Sequence, residues 1–71
     1  MQRYFNSWVL DMEPDGNELV VKPRKFNGEL ITLPKGINAE YRFKYSKSKH
    51  QECLDTAFNE MREIIRSAAL V

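Results

Sequence analysis

Apolar and polar residues change period once along the chain. From Ser48 to about Leu70, apolar side chains recur at Leu54, Ala57, Phe58, Met61, Ile64, Ile65 and Ala68. Offsets of three and four place them on one stripe of a helix. Glu52, Asp55, Asn59, Arg62, Glu63 and Arg66 fall on the opposite side, so the segment is amphipathic. Such a helix is stable only when its stripe is buried, and the residues upstream must bury it.

Upstream, the period is two, broken by turn residues. Tyr4 to Met12 reads as a strand, with Tyr4, Trp8, Leu10 and Met12 on one face and Phe5 and Val9 on the other. Glu13-Pro14-Asp15-Gly16-Asn17 has turn chemistry, since Pro14 presets φ and Gly16 accepts positive φ. Glu18 to about Lys22 is a second strand, and Pro23 either ends it or marks an edge or bulge. Asn27-Gly28 signals a type I′ hairpin leading into a third strand, Glu29 to Leu33. Lys35-Gly36-Ile37-Asn38 reverses the chain again. In the fourth strand, Ala39 to Ser46, aromatic Tyr41, Phe43 and Tyr45 alternate with cationic Arg42 and Lys44. Ser46 or Ser48 opens the helix, and with Ser48 as N-cap, Gln51 completes a capping box.

The expected fold is α+β, a four-stranded antiparallel β-meander with one C-terminal amphipathic helix packed on one face, over residues 1–71 as a single domain. The helix stripe is expected to meet Tyr41, Phe43 and Tyr45, joined by Leu19, Val21, Ile31 and Leu33. Lys22, Arg24, Arg42 and Lys44 then point out of the opposite face, with some of Phe5, Trp8 and Val20 among them.

Length limits what such a fold can do by itself. A chain of 71 residues buries only about 60% of its unfolded surface. A small open sheet also leaves edges to cover, which suggests a weak homodimer. No apolar run approaches the roughly 20 residues of a membrane span, and Gln2 and Arg3 lead into a mixed segment instead of a signal-peptide core. Cys53 is alone, which excludes an internal disulfide and fits a reducing cytoplasm.

The net charge of +1 is unevenly spread. Residues 1–21 set Arg3 against Asp11, Glu13, Asp15 and Glu18, a net −3. Residues 22–50 carry eight cations against Glu29 and Glu40, a net +6, and residues 51–71 return to −2. The middle of the chain is therefore basic between two acidic ends.

No catalytic constellation is present: there is no glycine-rich phosphate loop, no cysteine pair and no Ser-His-carboxylate set. His50 reads as a half-buried residue of the first helical turn, and Cys53 as a small core hydrophobe. The acids around the first turn lack the spacing of a divalent-ion loop. No enzyme, cofactor or metal is expected.

The basic face carries the functional expectation. Nucleic-acid binding needs cations for phosphates and aromatics for unpaired bases. Lys22, Arg24, Lys25, Arg42, Lys44 and Lys47, extended by Lys49, supply the first, and Trp8, Phe5 or Tyr4 the second. The nucleic acid, single- or double-stranded, is left open. The alternative is a protein-binding adaptor or inhibitor, of phage or mobile-element type, that meets an acidic protein through the same face or a sheet edge. The element order resembles that of Pur-type single-strand-binding repeats, and more distantly the arm-binding domains of phage integrases. Neither resemblance rests on a shared residue motif, and topology alone carries no function.

Overall fold

A computed structural model describes residues 1–69. It is an α+β fold: five antiparallel strands run into one C-terminal helix that packs on one face of the sheet. The strands are β1 (Gln2–Phe5), β2 (Trp8–Asp15), β3 (Glu18–Asn27), β4 (Leu30–Thr32) and β5 (Tyr41–Lys44). A 3₁₀ turn, Lys47–Lys49, leads into α1 (His50–Ala69). No helix among the described residues is long and apolar enough to cross a membrane.

The long strand β3 is the axis of the sheet. On one side it pairs with β2 along its length, from Trp8 opposite Lys25 to Asp15 opposite Glu18. On the other side two short strands share it end to end. β5 lies against Glu18–Val21 and β4 against Lys25–Asn27. Between them Lys22, Pro23 and Arg24 have no strand neighbour on that side. Pro23 can therefore sit inside the central strand, because its missing N–H coincides with a gap in the ladder. Of the readings open for Pro23, the edge-like one holds, and the strand continues to Asn27.

The expected first strand is two strands. Phe5 pairs directly with Trp8, so Asn6 and Ser7 form a two-residue turn, with Asn6 at φ 52°. Asn tolerates that left-handed conformation better than most residues. The next turn falls at Gly16-Asn17, as its glycine suggested, with Gly16 at φ 66°. The third is displaced by one residue: Asn27 pairs with Leu30, and Gly28-Glu29 make the loop, with Gly28 at φ 67°. A turn needing positive φ at one position only is satisfied by Gly28 alone.

Paired residues of an antiparallel ladder project to the same face. One face thus carries Phe5, Trp8, Leu10, Met12, Leu19, Val21, Tyr41 and Phe43. Against it α1 buries Leu54, Ala57, Met61 and Ile65, the centre of the expected stripe, with Phe58, Ile64 and Ala68 packed at its margin. The deepest side chains are Leu10, Met12, Leu19, Val21, Leu54 and Met61. The aromatics Tyr41, Phe43 and Tyr45 are only half-buried, because β5 is an edge strand and forms the flank of the core.

Ile31 and Leu33, expected inside, are outside, at 56% and 39% exposure. Ile31 pairs with Phe26, which places it on the face away from α1. Ile37, from the loop before β5, occupies the core instead.

The α-helix starts at His50, and the 3₁₀ turn before it begins at Lys47, two residues ahead of the start that Ser48 as N-cap would give. Ser46 is the N-cap residue of the 3₁₀ turn, without a side-chain cap bond, and Ser48 lies within that turn. No capping box forms, since Gln51 donates to Asp55 at 3.1 Å instead. The expected helix end at Leu70 lies outside the described residues.

One lateral cluster ties β1 to α1. Arg3 pairs with Asp55 at 2.9 Å and lies over the Phe58 ring. Phe5 meets Phe58 edge-to-face, and the Arg62 guanidinium sits 5.2 Å from the Phe5 centroid. Arg62, placed by periodicity on the solvent side, is thereby half-buried, its stem and charge covering two rings.

Truncation should follow depth. Met61→Ala or Leu54→Ala should lower stability by about 2–5 kcal/mol in urea unfolding, whereas Ile31→Ser should shift it by less than about 0.5 kcal/mol.

Candidate nucleic-acid interface

The face turned away from α1 is built by the alternate residues of the same strands. It presents Gln2 and Tyr4 from β1, Val9, Asp11, Glu13 and Asp15 from β2, and Glu18, Val20, Lys22, Arg24 and Phe26 from β3. Ile31, Arg42 and Lys44 complete it from β4 and β5. Lys22, Arg24, Arg42 and Lys44 therefore do share one outward face.

They share it with four acids. Strand alternation projects Asp11, Glu13, Asp15 and Glu18 to the same side, and the register sets Asp11 opposite Lys22 and Glu18 opposite Lys44. A face counted as basic along the chain is electrically mixed once β2 lies beside β3. Arg42 is the hub of the mixed region. Its Nε donates to Glu40 at 2.9 Å, and one terminal nitrogen reaches Glu18 at 3.2 Å and Asp15 at 3.3 Å. Hydrogen bonding to Glu40 above all, then to Asp15 and Glu18, pushes the Arg42 pKa up from its ordinary value. A guanidinium so occupied has few donors left for a phosphate. Around it Asp11, Glu13, Asp15 and Glu40, with Val20 and Lys22, line a shallow depression of about 410 Å³.

Trp8 is not on this face. It is 8% exposed and belongs to the core beneath α1. The cause is the turn at Asn6-Ser7, which reverses the chain and separates Tyr4 from the face of Leu10 and Met12. Phe5 follows Trp8 to the helix side, and Tyr4 pairs with Val9 on the outer side. Of the three proposed stacking residues, only Tyr4 is positioned to stack. Lys25 is also misplaced by the expectation: it lies opposite Trp8, half-buried on the helix side. Lys47 and Lys49 belong to the 3₁₀ turn and not to the sheet face.

The other half of the outer face is different in character. Tyr4, Val9 and Arg24 form one cross-strand row, and Phe26 and Ile31 form the next. Tyr4 is 65% exposed and Phe26 44%. Among the described residues, Lys22 and Arg24 make no ion pair. Arg24 donates to the carbonyl of Pro23 at 2.7 Å, across the unpaired stretch of β3. Phe26 was missed because it directly precedes the Asn27-Gly28 turn signal. Its strand parity with Arg24 becomes visible only once β3 continues past Pro23.

His50 and Cys53 are both half-buried in the first turn of α1. The His50 ring shares a 2.7 Å hydrogen bond with the Tyr45 hydroxyl through Nδ1 and packs edge-to-face on that ring. Cys53 is half-buried beside the stripe. Among the described residues, no three His, Cys, Asp or Glu side chains are grouped as a metal would need. No protein-family model, curated protein or solved structure matches the chain.

Placement makes a direct distinction between the aromatics. Trp8→Ala should destabilise the fold by about 3–5 kcal/mol, while Tyr4→Ala should leave the urea midpoint within experimental error.

Proposed function

We propose that this protein is a non-enzymatic nucleic-acid-binding module that holds single strands on the Tyr4–Phe26 half of its outer sheet face. One observation carries the reading: two exposed aromatic rings, Tyr4 in the cross-strand row of Arg24 and Phe26 in the next, stand beside Arg24 on the face that also carries Lys22, and among the described residues neither cation makes an ion pair. Unpaired bases stack on such rings whatever their identity, and adjacent cations neutralise the phosphates between them. Duplex DNA presents no free base faces to these rings, so single strands are the better ligand. The acidic half around Arg42 repels phosphate and confines the strand to one end of the sheet. The binding residues are then Tyr4, Lys22, Arg24 and Phe26, and Trp8, Lys25, Arg42, Lys47 and Lys44, which lies opposite Glu18, drop out.

The second reading is a protein-binding adaptor or inhibitor that uses a sheet edge. It is favoured by the apolar side chains Leu30, Ile31 and Leu33 around β4, which neither bases nor phosphates require.

Anisotropy titrations with labelled single-stranded oligonucleotides test the first reading. Affinity should fall with salt at roughly −0.7 per phosphate in log–log terms, a slope of about −1.4 if Lys22 and Arg24 each neutralise one. Tyr4→Ala and Phe26→Ala should each weaken binding by about 1–3 kcal/mol. Lys22→Glu with Arg24→Glu should abolish it, and Arg42→Gln should not weaken it. The absence of binding at low salt, or equal binding by the Lys22/Arg24 double variant, rules the reading out.

A further inference from the structure

The helix-side face of the sheet is not fully closed. Where the α1 stripe narrows from Ile65 to Ala68, two depressions open beside the core. The larger, about 380 Å³, lies between the Asn6-Ser7 turn and Arg66. The smaller, about 110 Å³, is walled by Pro34, Lys35, Ile37 and Ala68. Trp8, Lys25 and Ile65 line both, so the two form one groove with a shared floor.

This groove has the size of a small-molecule site, and its charge is of one sign. Its lining includes three cations, Lys25, Lys35 and Arg66, and no carboxylate. A single cation in the last turn is the ordinary complement of a helix C-terminus. Arg66 fills that role, while donating to Glu63 at 3.1 Å. Lys25 and Lys35 come from β3 and from the turn after β4, and helix capping does not account for them. Among the described residues neither makes an ion pair. Lys25 is half-buried opposite Trp8. The stem of such a lysine covers apolar surface while its ammonium stays wet.

Trp8 adds an independent observation. A buried indole N–H ordinarily finds an acceptor. Among the described residues that of Trp8 has none. Nor is it sealed off, since the fully buried side-chain nitrogen without a partner among those residues is Arg62 Nε. The 8% of Trp8 that stays exposed therefore includes its N–H, on a ring that lines the groove.

We propose that the groove binds a small amphiphilic anion, a short alkyl chain or single ring bearing one carboxylate or phosphate. The apolar body covers Trp8 and Ile65. The head group lies at Lys25, between the other two cations, and supplies the acceptor that the indole N–H lacks. A neutral body of the same shape would leave the three cations to water, and a cationic one would be repelled. The site is on the helix side of the sheet, away from Tyr4, Lys22, Arg24 and Phe26.

Trp8 is the single tryptophan of the chain, so one indole cross-peak in a proton–nitrogen correlation spectrum reports on the groove. The probes share one chain length: octanoate, octyl phosphate, octanol and octylammonium, each below its micelle-forming concentration. Octanoate or octyl phosphate should move that cross-peak saturably, and the tighter of the two identifies the head group. Octanol should bind about tenfold more weakly or worse, and octylammonium more weakly still. Lys25→Gln should weaken the anion by about tenfold or more. Lys35 and Arg66 are exposed, so the double variant Lys35→Gln/Arg66→Gln should weaken it with the melting temperature unchanged. Failure of both anions to shift the cross-peak saturably overturns the proposal. Octanol binding as tightly as the anions, or either variant folded and of parental affinity, overturns it as well. So does movement of the Tyr4 and Phe26 amide signals in place of the Trp8 cross-peak. Oligonucleotide binding is independent of each of these outcomes, because it uses the opposite face.

Discussion

The fold depends on the burial of one strand pair under one helix. β2 and β3 are in register along their length, and their helix-side residues Leu10, Met12, Leu19 and Val21 meet Leu54 and Met61 with essentially no exposure. All the other elements are arranged around that contact. β1 is held by its hairpin and by the Arg3–Asp55 and Phe5–Phe58 contacts, and β5 flanks the core with half-buried aromatics. Both strand prolines obey the same constraint. Pro14 lies beyond the reach of β1, and Pro23 lies in the gap between β5 and β4, so neither removes a ladder bond.

The register that builds the core also decides the electrostatics of the opposite face. Since alternate residues of a strand face opposite ways, sending Leu10 and Met12 inward sends Asp11 and Glu13 outward beside Lys22 and Val20. The acids of the first turn and the cations of the middle segment are distant groups in sequence and neighbours in space. Arg42 is consequently enclosed by Asp15, Glu18 and Glu40. Exposed ion pairs of this kind add little stability singly. Their consequence is spatial: the Arg42 charge is spent on acids, while Lys22 and Arg24 make no ion pair among the described residues.

Small size shapes what remains exposed. One helix covers one face of a sheet whose two short strands extend β3 in different directions, and β4 lies at the end that receives least cover. Val9 and Val20 show the contrast. They too lie on the outer face, yet they are 7% and 8% exposed beneath the long side chains around them. Phe26, Leu30 and Ile31 have no such cover. The result is an outer face with an acidic end, a cationic and aromatic end, and an apolar margin.

The sequence alone determined the features that depend on one element at a time. The α+β class, the single C-terminal helix and its buried stripe follow from a period of three to four residues in one uninterrupted segment. The alternation of Tyr41 and Phe43 with Arg42 and Lys44, and the reversal at Gly16, are equally local. Tertiary structure decided whatever depends on pairing between elements. Asn6-Ser7 has no glycine or proline to announce a turn, and the hairpin there, which buries Trp8 and exposes Tyr4, is stabilised by the ladder with β2 and the contacts with α1. Ile31 and Leu33 have the composition of core residues, and only the place of β4 along β3 leaves them outside. The mixed charge of the outer face is also a property of register. A shift of one residue between β2 and β3 would have sent Asp11 and Glu13 to the other side, and nothing in the order of the amino acids states that register before the core has chosen it.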